Sequence, residues 1–342
     1  MNENILSQTI HSLVGGNKGL LAMDESTGTC NQRFAVLGIP ETESARRDWR
    51  EIIVTSPGLG DYISGAILSD ETIRQDRKNG VSMLSTLRDA GILPGIKVDR
   101  GTLPLAGHPA EKMTAGLDGL RERLQEYFKM GARFAKWRVV FSIGAGIPGQ
   151  ACIQTNAHTL AIYAALCQEC SIVPIVEPEV LMEGTHTLDR CFSVTAEVLS
   201  TVFHKLSIQQ VDLENLLLKP SMVLPGKDCP VSSGIEQVAD ATIRCFRERV
   251  PAATGGVAFL SGGQSGELAA AHLNAMHIRQ GSRLPWPLTF SFARAIQQPA
   301  LSIWRGNPDN QPASQAALLH RAKCSQAARM GLYTPAMETG PA

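Results

Sequence analysis

Eight short apolar runs, each followed by a longer amphipathic or turn-rich stretch, constrain this chain more than any other feature. The runs are Gly19–Asp24, Tyr62–Leu68, Ile92–Asp99, Arg133–Val140, Ile172–Glu179, Leu213–Lys219, Gly256–Ser261 and Trp286–Ser291. Each has the length of a strand and the near-continuous hydrophobicity of one buried on both faces. Helical patterns fill the intervals: Glu41–Thr55, Glu71–Ala90, Ala110–Met130, Thr155–Cys170, Thr187–Leu206, Gly234–Arg249 and Ser265–Met276. A last one, Ser314–Arg329, closes the chain. Parallel strands need long crossovers, so this alternation predicts an α/β fold with a parallel sheet. Eight units predict a closed (β/α)₈ TIM barrel. The alternative, an open doubly wound sheet, requires a glycine-rich fingerprint after its first strand. Glu25-Ser26-Thr27-Gly28-Thr29 stands there instead.

A chain of 342 residues is long for one core, yet α/β barrels reach this size. No linker rich in Pro, Gly or Ser interrupts it, so one domain over residues 1–342 is expected. Its end, from about residue 334 through Gly340-Pro341-Ala342, is expected to be flexible. Hydrophobic residues at 44% against 19% charged exclude a disordered chain. With 32 basic and 32 acidic residues the net charge is zero, which disfavours nucleic acid and anionic membrane as partners. Any anion must therefore be held by a local site. The polar start Met1-Asn2-Glu3-Asn4 does not read as a signal peptide, and no run reaches membrane-spanning length. Eight scattered cysteines fit a reducing, cytosolic setting; Cys167 and Cys170 match C-x-x-C without a second pair and read as packed thiols on a helix.

Ionisable and hydroxyl groups gather near the C-terminal ends of the runs. Asp24 closes the first and Ser69-Asp70 follows the second, while Lys97 and Asp99 close the third. Lys136 and Arg138 lie in the fourth, Glu177 and Glu179 in the fifth, and Lys219 ends the sixth. Ser261 ends the seventh and Ser291 the eighth, with Arg294 just beyond. A barrel brings all strand C-termini to one mouth, its catalytic face. Residues two apart share a strand face, so Lys136 with Arg138 and Glu177 with Glu179 are expected to point inward together. Lys219 sits before Pro220, which ends regular pairing. Burial and the nearby Lys136 both favour its neutral amine, which can attack a carbonyl to form a Schiff base. The carboxylates would shuttle protons once burial raises at least one of them. A closed ion-pair network that braces the barrel is the structural alternative.

Ser261-Gly262-Gly263-Gln264-Ser265-Gly266 follows the seventh run and opens a helix. Glycines admit close backbone approach and a helix N-terminus offers free N–H groups, so this loop with Arg294 and Ser291 is expected to hold a phosphate. Ser26, Thr29, Arg33 and Lys97 are expected to hold a second one. Gly144-Ala145-Gly146-Ile147-Pro148-Gly149 fits G-x-G-x-x-G, but Pro148 interrupts it and Glu169, about twenty residues on, falls inside the next helix rather than at a strand end, so no dinucleotide cofactor is expected. Eight scattered histidines, with His272 and His277 five apart, give no metal site.

The segments LLAMDESTG, GIKVDRG, FAKWR, PIVEPE, LLLKPSMV, FLSGGQS and LTFSFAR, in that order, resemble the class I (Schiff-base) fructose-1,6-bisphosphate aldolases. The likeness runs from Gly19 to Tyr333. It implies a (β/α)₈ lyase that cleaves fructose 1,6-bisphosphate without a cofactor or metal. It implies Lys219 as the Schiff-base lysine, Glu177 as general acid/base supported by Glu179, and Asp24 and Lys136 as the active-site carboxylate and lysine. Ser261, Gly262, Gly263 and Arg294 would hold the ketone-side phosphate; Ser26, Thr29, Arg33, Lys97 and Arg138 would serve the other phosphate or the hydroxyls. A sugar phosphate is the implied partner, and a homo-oligomer, often a tetramer, the implied assembly. Gln32, Thr29 and Ala293 depart from the lysine, serine and glycine common in the family. Many members also carry a terminal tyrosine beyond the Tyr333-Thr334-Pro335 segment that helps move the C3 proton; the sequence ends at Ala342 without one. A lyase preferring a monophosphate and a non-catalytic sugar-phosphate scaffold are the competing readings.

Overall fold

A computed structural model describes residues 3–339; Gly340, Pro341 and Ala342, expected to be flexible, lie outside the described residues. The eight runs form eight barrel strands: β1 (Gly19–Met23), β2 (Ile63–Leu68), β3 (Leu93–Lys97), β4 (Phe134–Phe141), β5 (Val173–Val180), β6 (Leu217–Leu218), β7 (Gly256–Phe259) and β8 (Leu288–Phe292). Neighbours in sequence pair in parallel, and β8 closes onto β1 through Leu20 and Ser291, which completes the expected barrel. β6 is much shorter than its apolar run, but the Lys219 N–H still donates to the Val176 carbonyl at 2.8 Å before Pro220 ends the ladder.

Alternation along the strands gives the barrel an apolar floor and a charged upper layer. Leu20, Ala22, Ile67, Phe134, Val173, Ile175, Leu217 and Ala258 pack inside, against Leu6, Ile10, Leu13 and Val14 of an N-terminal helix, Glu3–Val14. That helix closes the N-terminal end of the barrel. The next inward positions at the opposite end, two residues on in each strand, are Asp24, Lys136, Glu177 and Lys219. Outside, the other strand faces pack under the helices, so β1, β2 and β5 are buried along their whole length.

Several expected helices are cut by local chemistry. Residues 110–130 are not one helix: Thr102–Leu105 and His108–Thr114 form an antiparallel hairpin turning at Gly107, and only Leu120–Met130 is helical. Gly107, Gly116 and Gly119 all have positive φ, which breaks a helical path there. The expected helix over residues 71–90 is two short ones, Asp70–Ile73 and Met83–Asp89, separated by a turn in which Gly80 has φ +80°. Two helices not anticipated follow barrel strands: Thr27–Val36, capped by Ser26, and Arg294–Trp304.

Candidate active site

Asp24, Lys136, Glu177 and Lys219 are all buried and join in one chain of ion pairs. Lys136 Nζ lies 2.7 Å from Asp24 Oδ2 and 3.0 Å from Glu177 Oε2, while Lys219 Nζ lies 2.6 Å from Glu177 Oε1. Lys136 and Lys219 therefore do not face each other directly; Glu177 stands between them. Burial pushes the Glu177 carboxyl up, but Lys136, Lys219 and Arg138 together outweigh it and leave it below its ordinary value. Burial also raises Asp24, yet Lys136 and Lys219 bring it down to about 2. The expected upward shift is thus absent from both, because an ammonium lies within hydrogen-bonding reach of each. Lys136 shows the converse: burial lowers it, Asp24 and Glu177 raise it further, and it rises well above the usual lysine range.

A second set of pairs lies at the rim. Lys97 Nζ binds Asp99 through Oδ1 at 2.6 Å and its carbonyl at 2.8 Å. Asp99 also accepts from the Arg138 backbone N–H, at 3.2 Å, which ties β3 to β4. Arg138 Nε donates to Glu179 Oε2 with its side chain partly exposed. Lys136 and Arg138, expected to share one inward face, both reach a cleft of 340 Å³.

That cleft is lined by every residue expected of the site except Arg33. Arg33 is turned along its helix to Glu25, and its guanidinium also bonds Gln298 at 3.3 Å, so the structure places it outside the cleft wall. Glu25 itself lines the cleft, as does Thr102, neither of them singled out from sequence, and Asp99, expected at the mouth as a strand-end group, lines it too. On one flank stand Ser26 and Thr29, linked hydroxyl to hydroxyl at 3.0 Å. Across from them Ser261, Gly262 and Gly263 leave β7 with both glycines in the left-handed region. Ser291 carries a buried Oγ with no hydrogen-bond partner among the described residues, and it lines the cleft beside Ala293 and Arg294.

Two further features shape the loop after β7. Ser265 and Gly266, which open the helix Gly266–Gln280, line a neighbouring pocket and not the cleft itself. Within the loop, Gln264 Nε2 donates to the Ser261 carbonyl at 3.0 Å, so its Oε1 must accept from His272 Nδ1 at 2.6 Å. Burial pushes His272 down to about 4, which keeps the ring neutral and the Nδ1–H in place. His272, considered in the sequence only as a metal ligand, is a positioning residue for this loop.

A barrel with its acids, lysines and anion-holding loops at one mouth matches a known group across its length. The family model described as fructose-bisphosphate aldolase class-I matches residues 5–342. The chain belongs to the class I fructose-bisphosphate aldolase family. It is 51% identical over 329 residues to a probable fructose-bisphosphate aldolase class 1 of Xanthomonas campestris, covering 96% of this chain and 98% of that one. Fructose-bisphosphate aldolase 3, chloroplastic, of Arabidopsis thaliana is 47% identical over 96% of this chain and 83% of its own length. Among solved structures, the fructose-bisphosphate aldolase of Plasmodium falciparum, crystallised with TRAP and a small-molecule inhibitor, superposes with a TM-score of 0.95. It is 44% identical and covers 97% of this chain and 95% of its own. Class I aldolases are lyases, and the barrel observed here is the barrel of the family.

Proposed function

We propose that this chain catalyses the reversible cleavage of fructose 1,6-bisphosphate to dihydroxyacetone phosphate and glyceraldehyde 3-phosphate through a Schiff base on Lys219. The observation that carries this reading is the 2.6 Å contact of Lys219 Nζ with Glu177, inside the barrel mouth. An ammonium cannot attack a carbonyl, and Glu177 is placed to accept its proton. The freed amine adds to the C2 ketone; Glu177 returns the proton to the carbinolamine oxygen, and water leaves. The resulting iminium then draws the electron pair released as C3–C4 breaks, once the C4 hydroxyl has given its proton to a carboxylate. Glyceraldehyde 3-phosphate departs, the enamine takes a proton at C3, and hydrolysis restores Lys219. Lys136 and Asp24 hold Glu177 in place throughout, and Glu179 is held by Arg138.

Two anion-holding groups flank the lysine and fit a bisphosphate. Ser261, Gly262, Gly263, Ser291 and Arg294 take the ketone-side phosphate, and Ser26, Thr29, Lys97 and Arg138 the other. A substrate held at both ends presents its reacting carbons in one geometry, which lowers the entropic part of the barrier. The same reading includes one catalytic domain, no metal, a homo-oligomer of the tetrameric kind, and a cytosolic place in glycolysis and gluconeogenesis. Its test is borohydride reduction in the presence of dihydroxyacetone phosphate, followed by peptide mass mapping. The adduct is expected on Lys219 and activity is expected to survive a chelator; an adduct on another lysine, or activity lost to EDTA, overturns the assignment.

A further inference from the structure

Beside the cleft lies a separate pocket of 680 Å³, walled by the start of the helix Gly266–Gln280, by the helix Arg294–Trp304, and by Arg321. Arg321 is 5% exposed, and its guanidinium is only partly used. Nη1 pairs with Glu338, and Nε reaches the Ala295 carbonyl at 3.4 Å. Nη2 has no partner among the described residues. Its position is deliberate: a Cβ on Gly266 would fall 2.8 Å from Nη2 and 2.5 Å from the Ala295 carbonyl, so glycine is what lets the guanidinium lie against the first turn.

That first turn is itself a donor surface. Ser265 Oγ accepts from the Leu268 N–H at 3.1 Å, and the Ser265 carbonyl accepts from Ala269, which leaves the Gly266 and Glu267 N–H groups unpaired among the described residues. A guanidinium buried against the positive end of a 15-residue helix is repelled unless an anion joins them. Glu338 pairs with Nη1 of Arg321 and is not part of the pocket wall, while Glu267 is exposed at the pocket edge. Arg294 adds a second cation from the wall shared with the catalytic cleft.

From these donors we infer a third oxyanion site, outside the catalytic cleft, that binds inorganic phosphate or the phosphate of a small monoester. The donors come from three directions: the Arg321 Nη2, the two free amides and Arg294. A tetrahedral dianion can accept from all of them, whereas a planar carboxylate offers too few oxygens.

The test uses the full-length protein with its main cleft filled covalently, by borohydride reduction with dihydroxyacetone phosphate and desalting. Intact mass reports the adduct, so a failure of the Schiff-base reading shows there and not in the titration. Calorimetric titration with inorganic phosphate is expected to show two sites, the aldehyde-side one that dihydroxyacetone phosphate leaves open and this one beside Arg321. Ser302→Asp puts a carboxylate into the pocket at an exposed position and is expected to weaken that site by about tenfold or more; Arg321→Gln is expected to remove it. If no adduct forms, the same titration on unmodified protein is read through Ser302→Asp, since Ser302 lies outside the main cleft. No binding by the wild type at about 10 mM phosphate, or equal binding by wild type and a folded Ser302→Asp, overturns the inference.

Discussion

Lys219 Nζ and Glu177 Oε1 lie 2.6 Å apart, so the amine and its proton acceptor are in contact before any substrate arrives. Glu177→Gln keeps the side-chain size and removes the acceptor. We expect kcat to fall by about 10²–10⁴, the usual worth of a positioned acid/base, with slower borohydride trapping on Lys219. Steady-state kinetics with fructose 1,6-bisphosphate give the answer, and an unchanged kcat would remove Glu177 from the mechanism.

The two buried lysines should respond differently to truncation. Lys219→Met leaves Glu177 paired to Lys136, so the fold is expected to persist while turnover disappears. Lys136→Met leaves Asp24 without its only ion-pair partner among the described residues. Removing one member of a buried pair costs on the order of 3–5 kcal/mol, so Lys136→Met should lower the urea midpoint well below that of Lys219→Met. Equal midpoints would show that Asp24 finds another partner.

What could be read from the sequence was whatever burial on both faces writes into it. Ile172–Glu179 is apolar through Val176 because helices cover its outer face, and its inward Glu177 and Glu179 break the pattern where the mouth begins. The N-terminal helix was hidden because Leu6, Ile10, Leu13 and Val14 are spaced for a helix but separated by Ser, Thr and His. The hairpin of residues 102–114 was misread because its polar, exposed positions carry little strand signal. Arg33 and His272 failed for a different reason. Which way Arg33 points depends on the rotation of its helix toward Glu25, and the role of His272 depends on a loop folding back through Gln264. No local pattern records either.

Packing in the barrel floor makes a sharper demand. A Cβ on Gly95 would lie 2.2 Å from the Phe134 ring, and Phe134 is fully buried in the floor cluster. Gly95→Ala must displace that ring or the backbone of β3, and overpacking of this kind costs about 1–3 kcal/mol. The expected result is a lower thermal midpoint, with restoration by Gly95→Ala combined with Phe134→Leu. A single variant as stable as the wild type would mean that the floor yields more readily than its packing implies.

Stability should also fall in two stages as pH drops. His272 and His277 are pushed by burial from 6.5 down to about 4. Between those values the unfolded chain binds protons that the folded chain refuses, so stability present above pH 6.5 is lost progressively toward pH 4. For His272, only 2% exposed, the shift corresponds to something on the order of 3 kcal/mol. Asp24 acts later: its folded value of about 2 against 3.8 keeps its contribution intact above 3.8 and forfeits it between there and 2. Urea unfolding at pH 7, 6.2 and 5.5 isolates the histidine stage, because the carboxylates, with ordinary values of 4.5 and 3.8, titrate below that span. His272→Gln removes one of them and should flatten the slope between pH 6.5 and 4; an identical slope would mean that His272 is protonated in the native loop, and that its Nδ1–H bond to Gln264 does not depend on a neutral ring.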